Sequence, residues 1–304
     1  MTDFEGMPCS AASADIPLPG SATRVSGWLC IEQPGAWGRD VIGDEVLGPE
    51  ITAELAPRVK AARVRPTLIR RPGRNEFTGT RTVFIASSRP RDSWCERFEI
   101  TDLKQLLDLD PHLLNGPAPG IGAPVRDPLV LVCAHGKRDQ CCALLGRPIA
   151  ARLSAAYPDL VWECSHTGGH RFAPAMVLLP SGLTYGRVGS DDALEAVAAA
   201  HRNAISLTGF RGRSCYTPVE QVAEIAVRRQ LPAASDDLTV TPAPDALPTG
   251  DPTTFAGAAT VTHRDGRRWL VTTHTTAYPP RQASCAAAAK PATAIIADPP
   301  RELP

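Results

Sequence analysis

The sequence lacks several features that define whole classes of protein. It contains no run of about 18 apolar residues, which a membrane-spanning helix requires, so no membrane partner is expected. Its 32 basic residues, of which only four are lysine, balance 32 acidic residues, and the formal net charge is zero. A neutral chain has no general electrostatic attraction to nucleic acid or to an anionic lipid surface. The first 20 residues include acidic side chains and no apolar signal-peptide core, so we expect a cytoplasmic protein.

A Cys-x-x-Cys motif is also missing, although the chain has nine cysteines. Disulfides are rare in cytoplasmic proteins, so this content predicts metal ligands, reactive thiols or buried residues. The vicinal pair Cys141-Cys142 is poorly suited to an unstrained disulfide, which makes a thiol oxidoreductase the least favoured function. No role follows for five cysteines without a close partner in the sequence: Cys9, Cys30, Cys95, Cys215 and Cys285. For the last four, burial as plain core residues is the simplest expectation.

Two successive segments show the same predicted order: strand, helix, strand, strand, strand, helix. The first has strands at 26–35, 66–73, 81–88 and 93–100, with helices at 50–64 and 101–109. The second has strands at 129–136, 160–164, 173–182 and 183–188, with helices at 138–158 and 190–205. Two strands joined by a helix should be parallel, with a right-handed crossover. The order predicts an α/β protein with tandem thioredoxin-like cores, each βαβ-ββα, in which the second core holds the chemistry.

Composition and pattern divide the chain into six predicted parts. They are an irregular N-terminal lead-in (1–25), a degenerate thioredoxin-like half (26–114), a Pro/Gly linker (115–128), the second thioredoxin-like domain with a C-terminal helix (129–231), a linker and β-hairpin (232–282), and a tail without a clear pattern (283–304). The helix follows from Thr217 as N-cap and Pro218 at the first helical position. The hairpin follows from Asp265-Gly266 between two strand-like runs.

Cysteine and histidine lie together where two predicted strands of the second half end. Cys133 ends a fully apolar strand, the Cys141-Cys142 pair opens the next helix, and His166 and His170 follow the next strand. The carboxyl ends of adjacent parallel strands meet at one crevice, so two thiols and two imidazoles should converge. Taken singly, Cys133 would by default be a small buried core residue, and each histidine would more often be a loop residue.

Two thiolates and two imidazoles suit either a tetrahedral zinc ion or an iron–sulfur cluster. Cys133 is eight residues from Cys141 and nine from Cys142, which is wide for a structural zinc site. Two cysteines on one iron and two histidines on the other is the ligand set of Rieske centres. The spacing alone leaves open both the metal and the choice between the two neighbouring cysteines.

The segment "CAHGKRDQCCALLGRP", followed by "WECSHTGGHRFAPAMVLLPSGLTYGRV", resembles the sucrase/ferredoxin-like family of thioredoxin-like ferredoxins. The resemblance extends to "PCSAAS", "WLCIEQPGAWGRD", "IRRPGR", "GRSCYTPVEQ" and the late "ASC". It implies a [2Fe–2S] cluster held by Cys133 and Cys142 on one iron, and by His166 and His170 on the other.

That resemblance implies an electron carrier rather than an enzyme with its own substrate. Its partners would be a reductase and an electron acceptor, neither of which the sequence identifies. Gly168 and Gly169 would let the backbone wrap close to the metal. Three residues of the ligand loop, His135, Lys137 and Arg138, would donate hydrogen bonds or offset negative charge. The alternative is a zinc-stabilised thioredoxin-like binding module without a redox role.

Overall fold

The computed structural model describes residues 4, 6–73, 77–248, 251–285 and 287–304, and it has a mixed α/β fold. Within this part of the chain lie four α-helices: α1 (Pro49–Ala61), α2 (Gln140–Ala156), α3 (Ser190–His201) and α4 (Pro218–Arg228). A mixed sheet has ten strands: β1 (Gly27–Glu32), β2 (Val64–Arg70), β3 (Arg81–Ser87), β4 (Trp94–Ile100), β5 (Ala123–Pro124), β6 (Leu129–Cys133), β7 (Val161–Cys164), β8 (Ala175–Leu179), β9 (Leu183–Gly186) and β10 (Phe210–Arg213). A second, antiparallel sheet has five: β11 (Leu238–Pro242), β12 (Phe255–His263), β13 (Arg268–Gln282), β14 (Ala289–Ala297) and β15 (Arg301–Leu303).

The ten-stranded sheet consists of two units with the same connectivity. Its order is β10-β9-β8-β6-β7-β2-β1-β3-β4-β5. In the first unit α1 connects the parallel strands β1 and β2, and the β3–β4 hairpin adds antiparallel to β1. In the second unit α2 connects the parallel strands β6 and β7, and the β8–β9 hairpin adds antiparallel to β6. Antiparallel pairing of β2 with β7 joins the units, supported by an Arg70–Glu163 ion pair at 2.8 Å.

The closing helix predicted at 101–109 is a short 3-10 helix, Leu103–Leu107, and a second one, Pro111–Asn115, follows it. Pro111 has no N–H to donate and disfavours the α-conformation at the residue before it, which favours a break between the two short helices. Leu106 and Leu114 are nevertheless fully buried against the α1 side of the sheet. In the second unit the corresponding position is occupied by α3.

Alternating side chains give the curled sheet two different faces. Val130 and Val132 of β6 pack toward α2 and α3, whereas Leu131 and Cys133 point to the opposite face. On that inner face residues from both units meet, and the ring of Phe84 on β3 lies edge-on to Trp162 on β7 at 5.6 Å. Because β6 is buried on both faces, its sequence is a continuous apolar run.

The segment predicted as a Pro/Gly linker, 115–128, is fixed to the sheet. Its residues 123–124 form β5, which pairs with β4. The buried carboxylate of Glu96 accepts hydrogen bonds from the backbone N–H groups of Gly120, Ile121 and Gly122 at 2.8–2.9 Å.

The C-terminal part forms α4 and the five-stranded sheet. Thr217 and Glu220 form a capping box at the start of α4, which explains why the helix begins at Pro218. The β12–β13 hairpin turns at Asp265-Gly266. The expectation of a patternless tail at 283–304 is wrong, because this segment contains β14 and β15. The long strand β13 offers an edge for both, and Ala292 and Ala294 pack with Ile16 and Phe172.

The lead-in is irregular but ordered against the rest of the chain. Ile16 is buried, and the buried Arg281 of β13 donates a 2.9 Å hydrogen bond to the carbonyl of Ala12 and contacts Asp15. Some predicted ranges include residues outside the described ones: 1–3 and 5 of the lead-in, Arg74 of "IRRPGR", 249 and 250 of the second linker, and 286 of the tail. None of the helices in the described ranges combines the length and apolar character needed to cross a membrane.

Candidate metal centre

The four predicted ligands lie where β6 and β7 end. These strands pair in parallel with Cys133 opposite Cys164, so the segments that leave them start side by side. Cys142 is in the first turn of α2, which Asp139 caps by accepting a hydrogen bond from the N–H of Cys141. A side chain at Gly146 would collide with the carbonyl of Cys133, at 2.1 Å from its oxygen, so glycine permits α2 to approach the strand.

The side chains of the four residues form a continuous ring of contacts. The Sγ of Cys133 is near both the Sγ of Cys142 and a ring nitrogen of His166. The Sγ of Cys142 lies 3.8 Å from Nδ1 of His170, and the rings of His166 and His170 stack with centroids 3.7 Å apart. The ligand atoms of Cys133, Cys142 and His166 all lie within 4.8 Å of one another.

The structure places Cys142 beside Cys133, and Cys141 faces a different group. The Sγ of Cys141 lies 3.3 Å from that of Cys285 and 3.8 Å from that of Cys9. Cys285, for which burial as a plain core residue is the simplest expectation, is instead only partly buried and contacts another thiol. Cys9 and Cys285 are distant from Cys141 in the sequence, so spacing could not reveal this contact.

The protonation states favour metal binding. The hydrogen bond from Cys142 lowers the pKa of the Cys133 thiol well below its usual range, and the same bond raises the pKa of Cys142. Burial, and then the charge of His166, lower the pKa of His170 to about 4. At neutral pH His170 is therefore the neutral imidazole that metals bind, and the lowered pKa of Cys133 favours its thiolate form.

The turn between the two histidines depends on glycine. Gly168 has φ +103° and Gly169 has φ +76°, both in the region that favours glycine. A Cβ on Gly168 would lie 1.8 Å from Oγ1 of Thr23, so the lead-in passes directly over the turn. The turn thus holds the two imidazoles in their stacked arrangement.

His135 is buried and positions the backbone of His166. Its Nδ1 accepts a hydrogen bond from the N–H of His166 at 3.1 Å, and its Nε2 lies 2.8 Å from the carbonyl oxygen of Gly38. These partners require a neutral ring with the proton on Nε2. Lys137 and Arg138, the other predicted supporting residues, are exposed on the loop between β6 and α2.

Two arginines that the sequence reasoning missed surround the site. Arg65 donates to the carbonyl of His166, and Arg211 donates to the carbonyl of Gly168 at 3.1 Å. Burial lowers the pKa of both guanidinium groups, to about 9 for Arg211, which is fully buried. Arg211 lies in the fully buried strand "FRGR", where a charge needs a specific partner, but that burial is not visible in the sequence.

Comparison with known protein families identifies a match. The family model described as sucrase/ferredoxin-like matches residues 18–212, a range that contains all four predicted ligands and excludes Cys9 and Cys285. No curated protein and no solved structure matches the chain.

Proposed function

Because the chain belongs to the sucrase/ferredoxin-like family, we propose that it is a [2Fe–2S] electron-transfer protein. Cys133 and Cys142 would hold one iron, and His166 and His170 would hold the other. The observation that carries this proposal is the closed ring of contacts among these four side chains.

The residues present fit such a group. Two thiols and two imidazoles are the mixed donor set known for [2Fe–2S] centres with histidine ligands. The buried Nδ1 of His166 has no hydrogen-bond partner among the described residues, which is unusual for a buried polar atom and is consistent with a metal ligand. Arg65 and Arg211 supply positive charge beside the thiols, which would offset the negative charge of thiolates and sulfides.

A bound cluster would supply reversible one-electron transfer, and the burial of its ligands determines from which side redox partners can approach it. Cys133 and Cys142 are buried, whereas His166 and His170 are half-buried at the protein surface. Reductase and acceptor proteins would therefore approach from the histidine side. His135, Arg65 and Arg211 hold the backbone of that side by hydrogen bonds to the carbonyl or N–H groups of residues 166 and 168.

We also propose that the two βαβ-ββ units are tandem thioredoxin-like cores. Their support is the shared strand order, which reads β2-β1-β3-β4 in the first unit and β7-β6-β8-β9 in the second. Within the described residues, only the second unit has a closing α-helix, α3, and only the second has both cysteine and histidine where its parallel strands end. The first unit would then act as a scaffold for the second.

One observation favours a second candidate, a zinc-stabilised binding module. The ligand atoms of Cys133, Cys142 and His166 are close enough together, within 4.8 Å, to surround a single ion. Such a protein would have no redox role.

Metal analysis separates the two candidates. The full-length protein, purified without oxygen, should be brown and contain two irons and two acid-labile sulfides per chain at this site. His166→Ala and Cys142→Ser should each lose both. Colourless protein with no iron or sulfide, in which Cys142→Ser instead removes zinc, would replace this proposal by the second candidate.

A further inference from the structure

A second group of thiols lies beside the proposed cluster site and uses none of its four ligands. Cys9 comes from the lead-in, Cys141 from the first turn of α2, and Cys285 from the segment between β13 and β14. Their three Sγ atoms form a compact triangle with sides of 3.3, 3.6 and 3.8 Å. A carboxylate oxygen of Asp139 completes the group, and all four ligand atoms lie within 4.8 Å of one another.

The triangle has the dimensions of one tetrahedral metal ion. Zinc–sulfur bonds of about 2.3 Å place two tetrahedral sulfur ligands about 3.8 Å apart. A disulfide requires sulfur atoms about 2.05 Å apart, and the nine cysteines are all free thiols. Packing alone does not require three thiols from remote segments here, because an apolar side chain would fill the space better.

Asp139 is arranged as an ionised oxygen ligand. Burial acts to raise its pKa, but hydrogen bonds from the N–H groups of Cys285 and Cys141, at 2.8 and 2.9 Å, outweigh this effect and lower it. The hydroxyl of Ser284 donates a third bond at 3.0 Å. Cys9 and Cys141 are almost fully buried, whereas Cys285 is partly exposed and leaves a path for an ion to enter.

We propose that Cys9, Cys141 and Cys285, together with Asp139, bind a single structural zinc ion. Binding converts three thiols to thiolates and releases three protons to solvent, and the metal keeps its oxidation state. The N-terminus of α2 stabilises the negative charge that this places on Cys141 and Asp139.

The ion would tie together three parts of the chain: the lead-in, the first turn of α2, and the segment between β13 and β14. It would fix the lead-in and the five-stranded sheet to the first turn of α2, and that turn also contains Cys142. Two of its ligands, Cys9 and Cys285, lie outside the residues that match the family model. The site shares no ligand with the proposed cluster, although Asp139 also lies within 4.8 Å of the ligand atoms of Cys142 and His170.

The adjacent residues Cys141 and Cys142 permit a direct test. Zinc and iron per chain would be measured by mass spectrometry in the full-length protein and in Cys141→Ser and Cys142→Ser. We expect Cys141→Ser to lose one zinc and to keep the metal bound at the Cys133 and Cys142 site. We expect Cys142→Ser to keep that zinc and to lose the metal at the Cys133 and Cys142 site. X-ray absorption at the zinc edge of Cys142→Ser should report three sulfur ligands and one oxygen.

Cys285 is the most exposed of the three thiols, so its substitution should perturb packing least. Cys215 is also partly exposed and belongs to neither proposed metal site, so it provides a matched control. Cys285→Ser should lose the same zinc, whereas Cys215→Ser should keep it. The proposal is overturned if zinc content is the same in wild type, Cys141→Ser and Cys285→Ser, or if two of the three thiols form a disulfide in the isolated protein. Neither result bears on whether iron is bound at Cys133 and Cys142.

Discussion

Replacing Gly168 by alanine should destabilise the protein through two separate effects. Alanine at φ +103° has a backbone strain energy of about 1–3 kcal/mol. Its Cβ would also lie 1.8 Å from Oγ1 and 2.9 Å from Cβ of Thr23, so the lead-in would have to shift. Overpacking of this kind costs a further ~1–3 kcal/mol. The expected loss of unfolding free energy is therefore about 2–6 kcal/mol.

Gly266 provides a matched control for the backbone effect. It has φ +97° in the β12–β13 turn, and a Cβ there would have no neighbour within 4 Å. Gly266→Ala should therefore lose only the backbone part, about 1–3 kcal/mol. The Thr23→Ala change in the Gly168→Ala background should recover part of the packing cost, because it removes the Oγ1 contact.

Urea unfolding of the metal-free, reduced proteins would measure these differences. Metal-free protein is the appropriate sample because metal binding to the folded state would add to its stability. Equal destabilisation by Gly168→Ala and Gly266→Ala, with no effect of Thr23→Ala, would refute the claim that the lead-in packs on the histidine turn.

Three further predictions concern charged groups. In metal-free protein the pKa of His170 is about 4, against about 6.5 when unfolded, so the unfolded chain binds the extra proton between these values. The unfolding free energy should fall as pH drops from about 6.5 to about 4, and His170→Gln should reduce this slope in pH-dependent urea titrations; an unchanged slope would contradict it. If a cluster is bound, Arg65→Met should lower its reduction potential, because removal of positive charge disfavours the reduced state. Arg65→Lys keeps the charge and should keep most of the potential. Equal potentials of wild type and Arg65→Met in voltammetry would count against a role of Arg65 in charge compensation. Glu224→Gln should cost about 3–5 kcal/mol in thermal or urea unfolding, because it leaves two buried arginines without their shared carboxylate. Glu195→Gln removes one partner of an exposed ion pair and should cost under about 1 kcal/mol. Similar losses of stability in Glu224→Gln and Glu195→Gln would show that burial of the Glu224 ion pairs is unimportant.

Local sequence patterns were sufficient for the part of the site that lies between residues 133 and 170. The apolar run of β6, the Asp139 cap and the glycine pair each specify structure within a few residues. Strand–helix–strand order then brings Cys133, Cys142, His166 and His170 to one end of the sheet, since parallel neighbours end at the same edge. The convergence of these four side chains could therefore be predicted.

Contacts across long sequence separations could not be predicted in this way. Cys9 and Cys285 meet Cys141 only because the lead-in and β13 both return to the start of α2. Arg65 and Arg211 reach the histidine turn from other strands, and nothing in their local sequence names that partner. The segment at 283–304 differs from expectation for a similar reason, because the free edge of β13 organises it. The segment at 101–109 differs for a local reason, because Pro111 follows it in the sequence.

Hyperfine spectroscopy of the reduced protein tests the central claim most directly. Protein purified without oxygen and reduced with dithionite should give the electron paramagnetic resonance of a one-electron-reduced [2Fe–2S] centre. Labelling with ¹⁵N-histidine should reveal coupling to two ring nitrogens, and His170→Cys should leave coupling to one. The proposal of a [2Fe–2S] cluster with histidine ligands is contradicted if the reduced protein has no such signal, or if the signal shows no coupling to histidine nitrogen.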